Sequence, residues 1–530
     1  MIWSYRRMSI VYCKHIATSD DPFMSQTPIS HPSHLAEQQR IRLPLPIVQG
    51  NRDYQERENL LRRMNDLLVS SGVEQELVQH DIQCALRAAP GQAELTDRRR
   101  STIQTYAKRT LRCTVARILS NQSHRQFSAH VAESPLLQWF CGYDALEVIR
   151  VPSKSTLQRM ESSIPQELLS QLNAILMHQA GQVSEDGQSA LGLAEPIDLS
   201  LIWMDATCAQ LDIHYPTDWA LLRDGTRSIM RAIMVIRRHG LKRRMPDPTK
   251  FIAAMNQQAM AMSGASRRGR GGDKAKARKR ALRAMKRVAK KVVRHGERYL
   301  NALRRSLDQT DLSEAEAAVI INRLVRYLEM MPMAIHQAHE RIIGERVVPN
   351  DEKILSLYEP HAEVYVRGKA GADAEFGLQL LLSESAEGLI VDCHLVPEGI
   401  QSDSTLLMPA IKRMRAALGE SVASTVVTDR GFSSAANSDA LKALDIVDST
   451  LPRNSGAMQK MLASSTHRAL HRRRAQTEAR IGIFKANFLG DQLPTKGFVA
   501  QQRYVAWAAL SHNLWVLGRL DVAEAAAEAA

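Results

Sequence analysis

The sequence predicts an α/β protein in which a small all-α domain precedes a mixed-sheet domain that is interrupted by a long helical insertion. Three observations lead to this fold class. Apolar residues recur at helical spacing from about residue 53 to 180. Strand-like apolar runs begin at about residue 197 and return at "EVYVRG", "FGLQLLLSE" and "GLIVDCHLVPE". Between these runs lie helical stretches at roughly 218–238, 248–262 and 274–345.

The same patterns set the expected domain bounds. We expect an irregular N-terminal extension at 1–50, a helical region at 51–180, a sheet domain at 195–520 with a basic helical insertion at about 218–350, and an acidic tail at 521–530. The extension is rich in Ser, Pro and His and lacks the continuous apolar core of a signal peptide, and Met24 is a plausible later start.

The helical region carries ordinary helix start and stop signals. "NLLRRMNDLLVSSGV" ends at Gly72, and Ser153 or Ser155 in "VPSKSTLQRM" is a candidate N-cap. Basic helices with Ser or Thr at their starts could bind DNA ends. An ordinary helical bundle fits the same pattern, so both interpretations stay open.

Composition argues against several classes of protein. The chain has no run of 18 uncharged apolar residues, so we expect no membrane span. Six cysteines are scattered without a CxxC pair, which argues against a zinc knuckle and a disulfide framework. A reducing cytoplasm fits this usage.

The positive charge is concentrated in one segment. Of the net charge of +14, the segment from Arg267 to Arg298 supplies +13, from 15 Lys/Arg and 2 acidic residues. Such a block typically binds a polyanion, because neutralised phosphates release their counterions. The alternative is a solvated, self-repelling linker. The expected DNA contacts in its first half are Arg267, Arg268, Arg270, Lys274, Lys276, Arg278, Lys279 and Arg280.

Two predicted strands run into an aspartate. "IDLSLIWMDAT" is read as ending at Asp205, and the β-branched run in "STVVTDRGF" directly precedes Asp429. Ligands gather at the carboxyl ends of strands in a sheet flanked by helices. Two neighbouring carboxylates there would repel each other unless a cation lies between them, and Mg²⁺ prefers such oxygen ligands. Taken singly, each aspartate is more often a turn residue or an N-cap.

A third acid lies in "HRRRAQTEARIGIFK" (471–485). At 100° per residue, Arg474, Glu478 and Lys485 fall on one helix face, which His471 joins. That face offers one carboxylate for a metal and cations for phosphates. Alone, Glu478 is more often half of an exposed ion pair with Arg474. Three such acids could hold two metal ions that clamp an in-line displacement at phosphorus.

These segments resemble the bacterial insertion-sequence transposases of the DDE, RNase H-like type. "DATCAQLDIHYPTDWALLRDGTR" (205–227) is similar to the block around the first catalytic Asp of that family, and "VVTDRGF" (426–432) to the second. The segment 471–485 is similar to the signature Tyr-x2-Arg-x3-Glu-x6-Lys, with His471 in place of the Tyr. "GKAGADAEFGLQLLL" and "SPLLQWF…PSKSTLQR" also resemble blocks of such proteins.

The resemblance implies an RNase H-like catalytic domain and a set of roles. Asp205, Asp429 and Glu478 would be the catalytic metal ligands, while His471, Arg474 and Lys485 would contact DNA. It further implies Mg²⁺, or Mn²⁺, with two ions expected. The reaction would be cleavage at transposon ends followed by attack of the freed 3′-hydroxyl on target DNA. A homodimer that pairs two ends, associated with the nucleoid in the cytoplasm, would complete the reaction.

Two other functions stay open from the sequence. One is an inactive DNA-binding protein derived from a transposase, and the other is an RNase H-like structure-selective nuclease. Two further acids have structural interpretations: Asp403 as an N-cap rather than a ligand, and Asp218 as the cap of the helix after "HYPT".

Overall fold

The computed structural model describes residues 45–88, 94–144, 148–183, 189–267, 271–366, 374–397 and 399–522. The expectations for residues 1–44 of the extension and for 523–530 of the tail therefore lie outside the described residues. None of the helices in these ranges combines the length and the apolar character that a membrane span needs.

Among the described residues, seven helices precede the sheet. They are α1 (Arg52–Ser70), α2 (Val73–Ala88), α3 (Asp97–Leu119), α4 (His124–Glu133), α5 (Pro135–Cys141), α6 (Lys154–Ser163) and α7 (Gln166–Gly181). Several begin with side-chain caps: Asn51 accepts a hydrogen bond from the Tyr54 amide, and Ser153 accepts one from the Thr156 amide. The N-cap of α6 is thus Ser153 and not Ser155. Gly72, two residues after the end of α1, has a φ of +77°, a conformation that favours glycine.

Strand β1 (Leu201–Gln210) leads into four helices of the insertion. These are α8 (Asp218–Arg238), α9 (Pro248–Arg267), α10 (Gly271–Arg305) and α11 (Glu314–Ile342). The single helical stretch expected at 274–345 was wrong, because the chain breaks between α10 and α11. A capping box starts α11, in which the Ser313 side chain accepts from the Glu316 amide and Glu316 accepts from the Ser313 amide.

The remaining elements complete the sheet and its cover. They are β2 (Glu363–Val366), β3 (Ala374–Glu384), β4 (Ile390–Leu395), α12 (Asp403–Leu418), β5 (Thr425–Thr428), α13 (Ala435–Ala443), β6 (Val447–Thr450), α14 (Ser455–Ala463), α15 (Ser465–Phe484) and α16 (Phe498–Leu517). A π-helical turn over Lys485–Leu489 extends α15.

The six strands within the described ranges form one mixed sheet. Its order is β2-β3-β1-β5-β6, and β4 pairs with β3 beyond the stretch that β2 occupies. β3 is antiparallel to β1, β2 and β4, whereas β5 is parallel to both β1 and β6. β1 therefore lies at the junction of an antiparallel half and a parallel half.

Three apolar cores hold these layers together. One face of the sheet, with Leu378, Leu380 and Leu382 of β3, shares a continuous core with α1–α7, α15 and α16. The other face packs on α12 and α13 through residues such as Ile202 and Phe432. The insertion helices have their own core. Because the N-terminal helices share their core with the sheet, a separate all-α domain that ends near residue 180 remains a prediction.

Close approach of β1 and β3 depends on Gly377. A Cβ at this position would lie 2.1 Å from the Ala209 carbonyl oxygen and 2.7 Å from the Cys208 Sγ. Only glycine fits here without a shift of the backbone of β1.

We therefore expect Gly377→Ala to lower the free energy of unfolding by about 3 kcal/mol or more, because it separates the two strands. Gly264→Ala on α9 is the matched control. A Cβ there meets nothing within 4 Å, so helix propensity should raise the stability by up to about 1 kcal/mol. Urea denaturation measures both, and equal effects at the two sites would contradict the packing argument.

Candidate active site

Asp205 lies in the middle of β1 and not at its end. The expectation that the strand ends at Asp205 was wrong, because β1 stays paired with the long strand β3 as far as Gln210, opposite Gly377. Side chains alternate between the faces of a strand, so Asp205 and Thr207 project on the same side. The Asp205 side chain is 21% exposed.

Asp429 follows directly on β5, as the sequence predicts. The parallel register pairs Trp203 with Val427, and its continuation by two residues brings Asp429 level with Asp205. The Gly431 amide donates a 2.7 Å hydrogen bond to Asp429 Oδ1, which holds the carboxylate in the turn. Phe432, fully buried, anchors this turn in the core under α12.

Helix α15 is fixed across the sheet by Arg473. This side chain donates to Glu384 Oε1 at 3.0 Å and to the Ala386 carbonyl at 2.7 Å, and lies 4.5 Å from the centre of the Trp203 ring. Trp203 in turn donates from Nε1 to the Leu470 carbonyl. Trp203 and Glu384 are cross-strand partners in β1 and β3. We call Trp203, Glu384 and Arg473 the α15 clamp.

The next residue of α15, Arg474, brings the three predicted acids together. Its Nη2 atom lies 3.8 Å from Asp205 Oδ1, 3.5 Å from Asp429 Oδ2 and 3.9 Å from Glu478 Oε1. Because all three oxygens lie within 3.9 Å of this one atom, any two of them are less than about 8 Å apart. The Arg474 Nε is buried and has no hydrogen-bond partner among the described residues. β1, β5 and α15 thus converge on one guanidinium.

Burial is the largest influence on the charge state of Asp205, the most enclosed acid of this cluster. Burial, and then the charges of Asp429 and Glu478, raise the pKa of Asp205 to about 6, against the lowering effect of Arg474 and of the Ala206 amide. The three carboxylates outnumber the one guanidinium, and all their donor atoms are oxygens, as Mg²⁺ and Mn²⁺ require. As the side chains stand, no three His, Cys, Asp or Glu residues within the described ranges are grouped closely enough to ligate one ion.

The two other motif residues of α15 occupy different surroundings. Lys485 reaches back to β1, with its Nζ 3.4 Å from Thr207 Oγ1, two residues from Asp205. His471 is half-buried, and its Nε2 lies 3.5 Å from the Ser449 hydroxyl, which also contacts His467. Burial lowers the pKa of His471. The contact of His471 or Lys485 with DNA remains a prediction.

Asp403 is the acid whose position the sequence did not reveal. The residue at the N-cap position of α12 is Ser402, so the reading of Asp403 as the cap was wrong. Its Oδ1 accepts from Gln379 Nε2 at 3.2 Å. A Cβ on Gly431 would lie 2.8 Å from Asp403 Oδ2 and 2.9 Å from Asp429 Oδ1, so the two carboxylates border one gap. Burial and the charge of Asp429 raise the pKa of Asp403.

The predicted DNA-contacting cations of the basic block differ in their exposure to solvent. Arg268 and Arg270 lie outside the described residues, and only the backbone of Arg267, at the end of α9, is described. Lys276 and Arg280 are exposed on α10, whereas Lys274, Arg278 and Lys279 are half-buried. Lys279 also pairs with Glu345 Oε1 at 2.7 Å. Asp218, expected to cap α8, is its first residue and instead joins α8 to α11 through Gln337 and Arg341.

Residues 344–514 match the family model described as the transposase DDE domain. The chain contains a transposase DDE domain. The match covers about a third of the 530 residues and includes Asp429 and Glu478. No curated protein and no solved structure matches the chain.

The DDE domain match begins after the insertion, so β1 and Asp205 lie outside it. A transposase DDE domain has an RNase H-like fold, and the antiparallel and parallel halves of this mixed sheet are consistent with it. Asp205 joins the other two acids because β1 is the central strand of that sheet.

The α15 clamp gives a test of how the DDE domain holds its helix. Arg473→Ala leaves Glu384, 5% exposed, without its charge partner, so we expect the free energy of unfolding to fall by about 3–5 kcal/mol. Arg472→Ala, at the exposed neighbouring position, should change it by less than about 0.5 kcal/mol. Urea denaturation compares the two, and similar losses would show that α15 is held by other contacts.

The titration of Asp205 tests whether a buried acid beside two other acids is unfavourable in its charged form. The pKa of Asp205 is about 6 in the folded protein, against an ordinary value of 3.8. Because the folded protein binds this proton more tightly than the unfolded chain does, the free energy of unfolding falls as the pH rises from 4 to 6. Asp205→Asn removes that loss. In metal-free buffer its advantage over the wild type should grow by roughly 2 kcal/mol between pH 4 and pH 7.5.

The control for this titration is Asp212→Asn, at an exposed acid beyond the end of β1. Chemical denaturation at the two pH values should show no comparable growth for it. If the stability difference between Asp205→Asn and the wild type stays constant with pH, the pKa of Asp205 is not raised in the folded protein.

Proposed function

We propose that the protein is a DDE transposase that binds the ends of its insertion sequence, cleaves DNA there and transfers the 3′-hydroxyl end to target DNA. The observation that supports this most is the convergence of Asp205, Asp429 and Glu478, from three separate elements, within 4 Å of Arg474 Nη2. The transposase DDE domain match supports the class of reaction.

The donor set fits a divalent metal, and Asp205, Asp429 and Glu478 are the residues that would hold it. Two Mg²⁺ or Mn²⁺ ions held there would supply activation of the attacking oxygen and stabilisation of the leaving oxygen at phosphorus. Glu478, 57% exposed, is the acid with the most freedom to adjust. Arg474 neutralises part of the acid charge before DNA binds.

The cations of α15 orient the DNA in this proposal. Arg474 would exchange its carboxylate contacts for a phosphate, to which its Nε, without a hydrogen-bond partner among the described groups, would also be able to donate. Lys485, held beside Thr207, adds a second positive charge next to the acids. His471 and the first cations of the basic block, Arg267 to Arg280, contribute further DNA contacts.

The proposal extends to partners and location. Two ends must be joined in one complex, so we propose a homodimer that works on chromosomal DNA in the cytoplasm, at the nucleoid. The helices α1–α7 are then candidates for end recognition.

A plasmid that carries the gene with its genomic flanks on both sides provides the test. We expect nicking at the flanks in Mg²⁺ or Mn²⁺, none in EDTA, and none with Asp205→Ala or Glu478→Ala, since each removes a metal ligand. Both variants should still bind the DNA. Asp212→Ala is the control and should cut at the wild-type rate.

Three results would contradict the proposal. Tight binding without cleavage under either metal would favour an inactive DNA-binding protein. Preferred cleavage of branched DNA would favour a structure-selective nuclease. Undiminished cleavage by Asp205→Ala would place the reaction elsewhere.

A further inference from the structure

The exposed face of α10 carries a continuous row of cations. Its seven members are Lys276, Arg280, Arg283, Arg287, Lys291, Arg294 and Arg298, all exposed. Their spacing of three or four residues keeps them within a sector of about 80° over six helical turns. We call this row the α10 stripe. All seven lie in the basic block that the sequence predicts to bind a polyanion, and the first two, Lys276 and Arg280, are also among the DNA contacts predicted individually.

The opposite face of α10 is apolar and fixed in the insertion core. Leu282, Met285, Ala289, Val292 and Leu303 are fully buried there. α10 packs against α8, α9 and α11. The stripe therefore cannot rotate inward, and its orientation toward solvent is set by the fold.

A helix that needed only a solvated face would mix charges of both signs. α10 instead has 14 Lys/Arg and 2 acidic residues, Asp273 and Glu297. Like charges three or four residues apart destabilise a helix. Each step along the stripe is such a pair, so the pattern costs stability in the free protein. A polyanionic partner would remove that cost.

A groove between α9 and α10 continues the stripe. It has a volume of about 590 Å³ and is lined by Lys250 of α9 together with Lys291, Arg294 and Arg298 of the stripe. Phe251 and His295 form an edge-to-face pair in its wall, with ring centres 5.3 Å apart. Cations from two helices thus face one concave surface, which suits an anionic chain that enters the groove.

The dimensions favour duplex DNA as the partner. From Lys276 to Arg298 the stripe extends about 33 Å at 1.5 Å per residue, close to one turn of B-DNA. Its cations recur about every 5.4 Å, a spacing that allows them to contact successive phosphates. The stripe contains no amide or carboxylate side chain of the kind that reads base edges.

We propose that the α10 stripe and its groove form a second DNA-binding surface, which holds the sugar-phosphate backbone of a duplex without reading sequence. It belongs to the insertion, whereas the three acids lie on the sheet and α15. The surface takes DNA as its polyanion on the strength of the proposed function, and it would retain the duplex while the acids act on the scissile phosphate.

The test measures binding of the full chain with Glu478→Gln, in EDTA, to a fluorescent 40-bp duplex of random sequence. Arg287→Gln, Arg294→Gln and Arg298→Gln are combined in one variant. Fluorescence anisotropy at several KCl concentrations should show affinity at least tenfold weaker at 0.1 M, and a slope of log K against log salt smaller by about 2.7, or 0.9 per lost phosphate contact.

The matched control combines Arg231→Gln, Arg238→Gln and Arg323→Gln, three exposed arginines on α8 and α11 of the same insertion. It carries the same change of net charge and should keep affinity within about twofold and the wild-type slope. Unchanged binding in the stripe variant, or equal losses in both variants, would overturn the proposal.

Thermal unfolding guards against misfolding, because relief of like-charge repulsion should leave the stripe variant at least as stable as the parent. If its Tm falls instead, a variant at the other end of the stripe, Lys276→Gln with Arg280→Gln and Arg283→Gln, decides the question by the same loss of slope.

The experiment measures DNA binding alone and does not depend on DNA cleavage. A chain that binds through the stripe but never cuts DNA overturns the proposed function alone, and a chain that cuts but ignores the stripe overturns this inference alone.

Discussion

The crowding of three carboxylates around a largely buried Asp205 is the constraint on which the site depends. Asp205 is held beside Asp429 by the parallel pairing of β1 with β5, and Glu478 is added by a helix that crosses the sheet. Such a cluster is unfavourable in a partly buried site unless positive charge enters it. Arg474 supplies that charge within the chain.

The architecture around this cluster serves to keep it assembled. Arg473, next to Arg474, is bound to the β3–β4 turn and stacks on Trp203, so the register of α15 relative to β1 is fixed directly beside the acids. The continuous core under α15 and α16 supports the same face of the sheet. In the insertion, by contrast, the charge is positive, exposed and unbalanced. The acidic cluster and the basic stripe thus lie in two different parts of the molecule. The first is suited to hold metal and the second to hold phosphate.

Much of the site followed from local sequence patterns. A β-branched run before Asp429 predicted the strand end correctly, and helical spacing placed Arg474 and Glu478 on one face. The bound of β1 was wrong because a strand's length depends on its partner, and the length of β3 is not a local property of residues 201–210. Arg473 was missed, and Asp403 was interpreted wrongly as an N-cap, for the same reason: their partners, Glu384 and Gln379, are distant in the chain. The break before α11 had a local signal, the capping box at Ser313, inside a pattern that otherwise read as continuous helix.

The central claim is that the three acids together form one site for divalent metal. Its most direct test is anomalous diffraction from crystals of the protein equilibrated with Mn²⁺. We expect manganese peaks bonded to oxygens of Asp205, Asp429 and Glu478, with the Arg474 guanidinium withdrawn from between them. Saturating Mn²⁺ that leaves Arg474 among the acids, with no peak bonded to Asp205 or Asp429, would contradict the account.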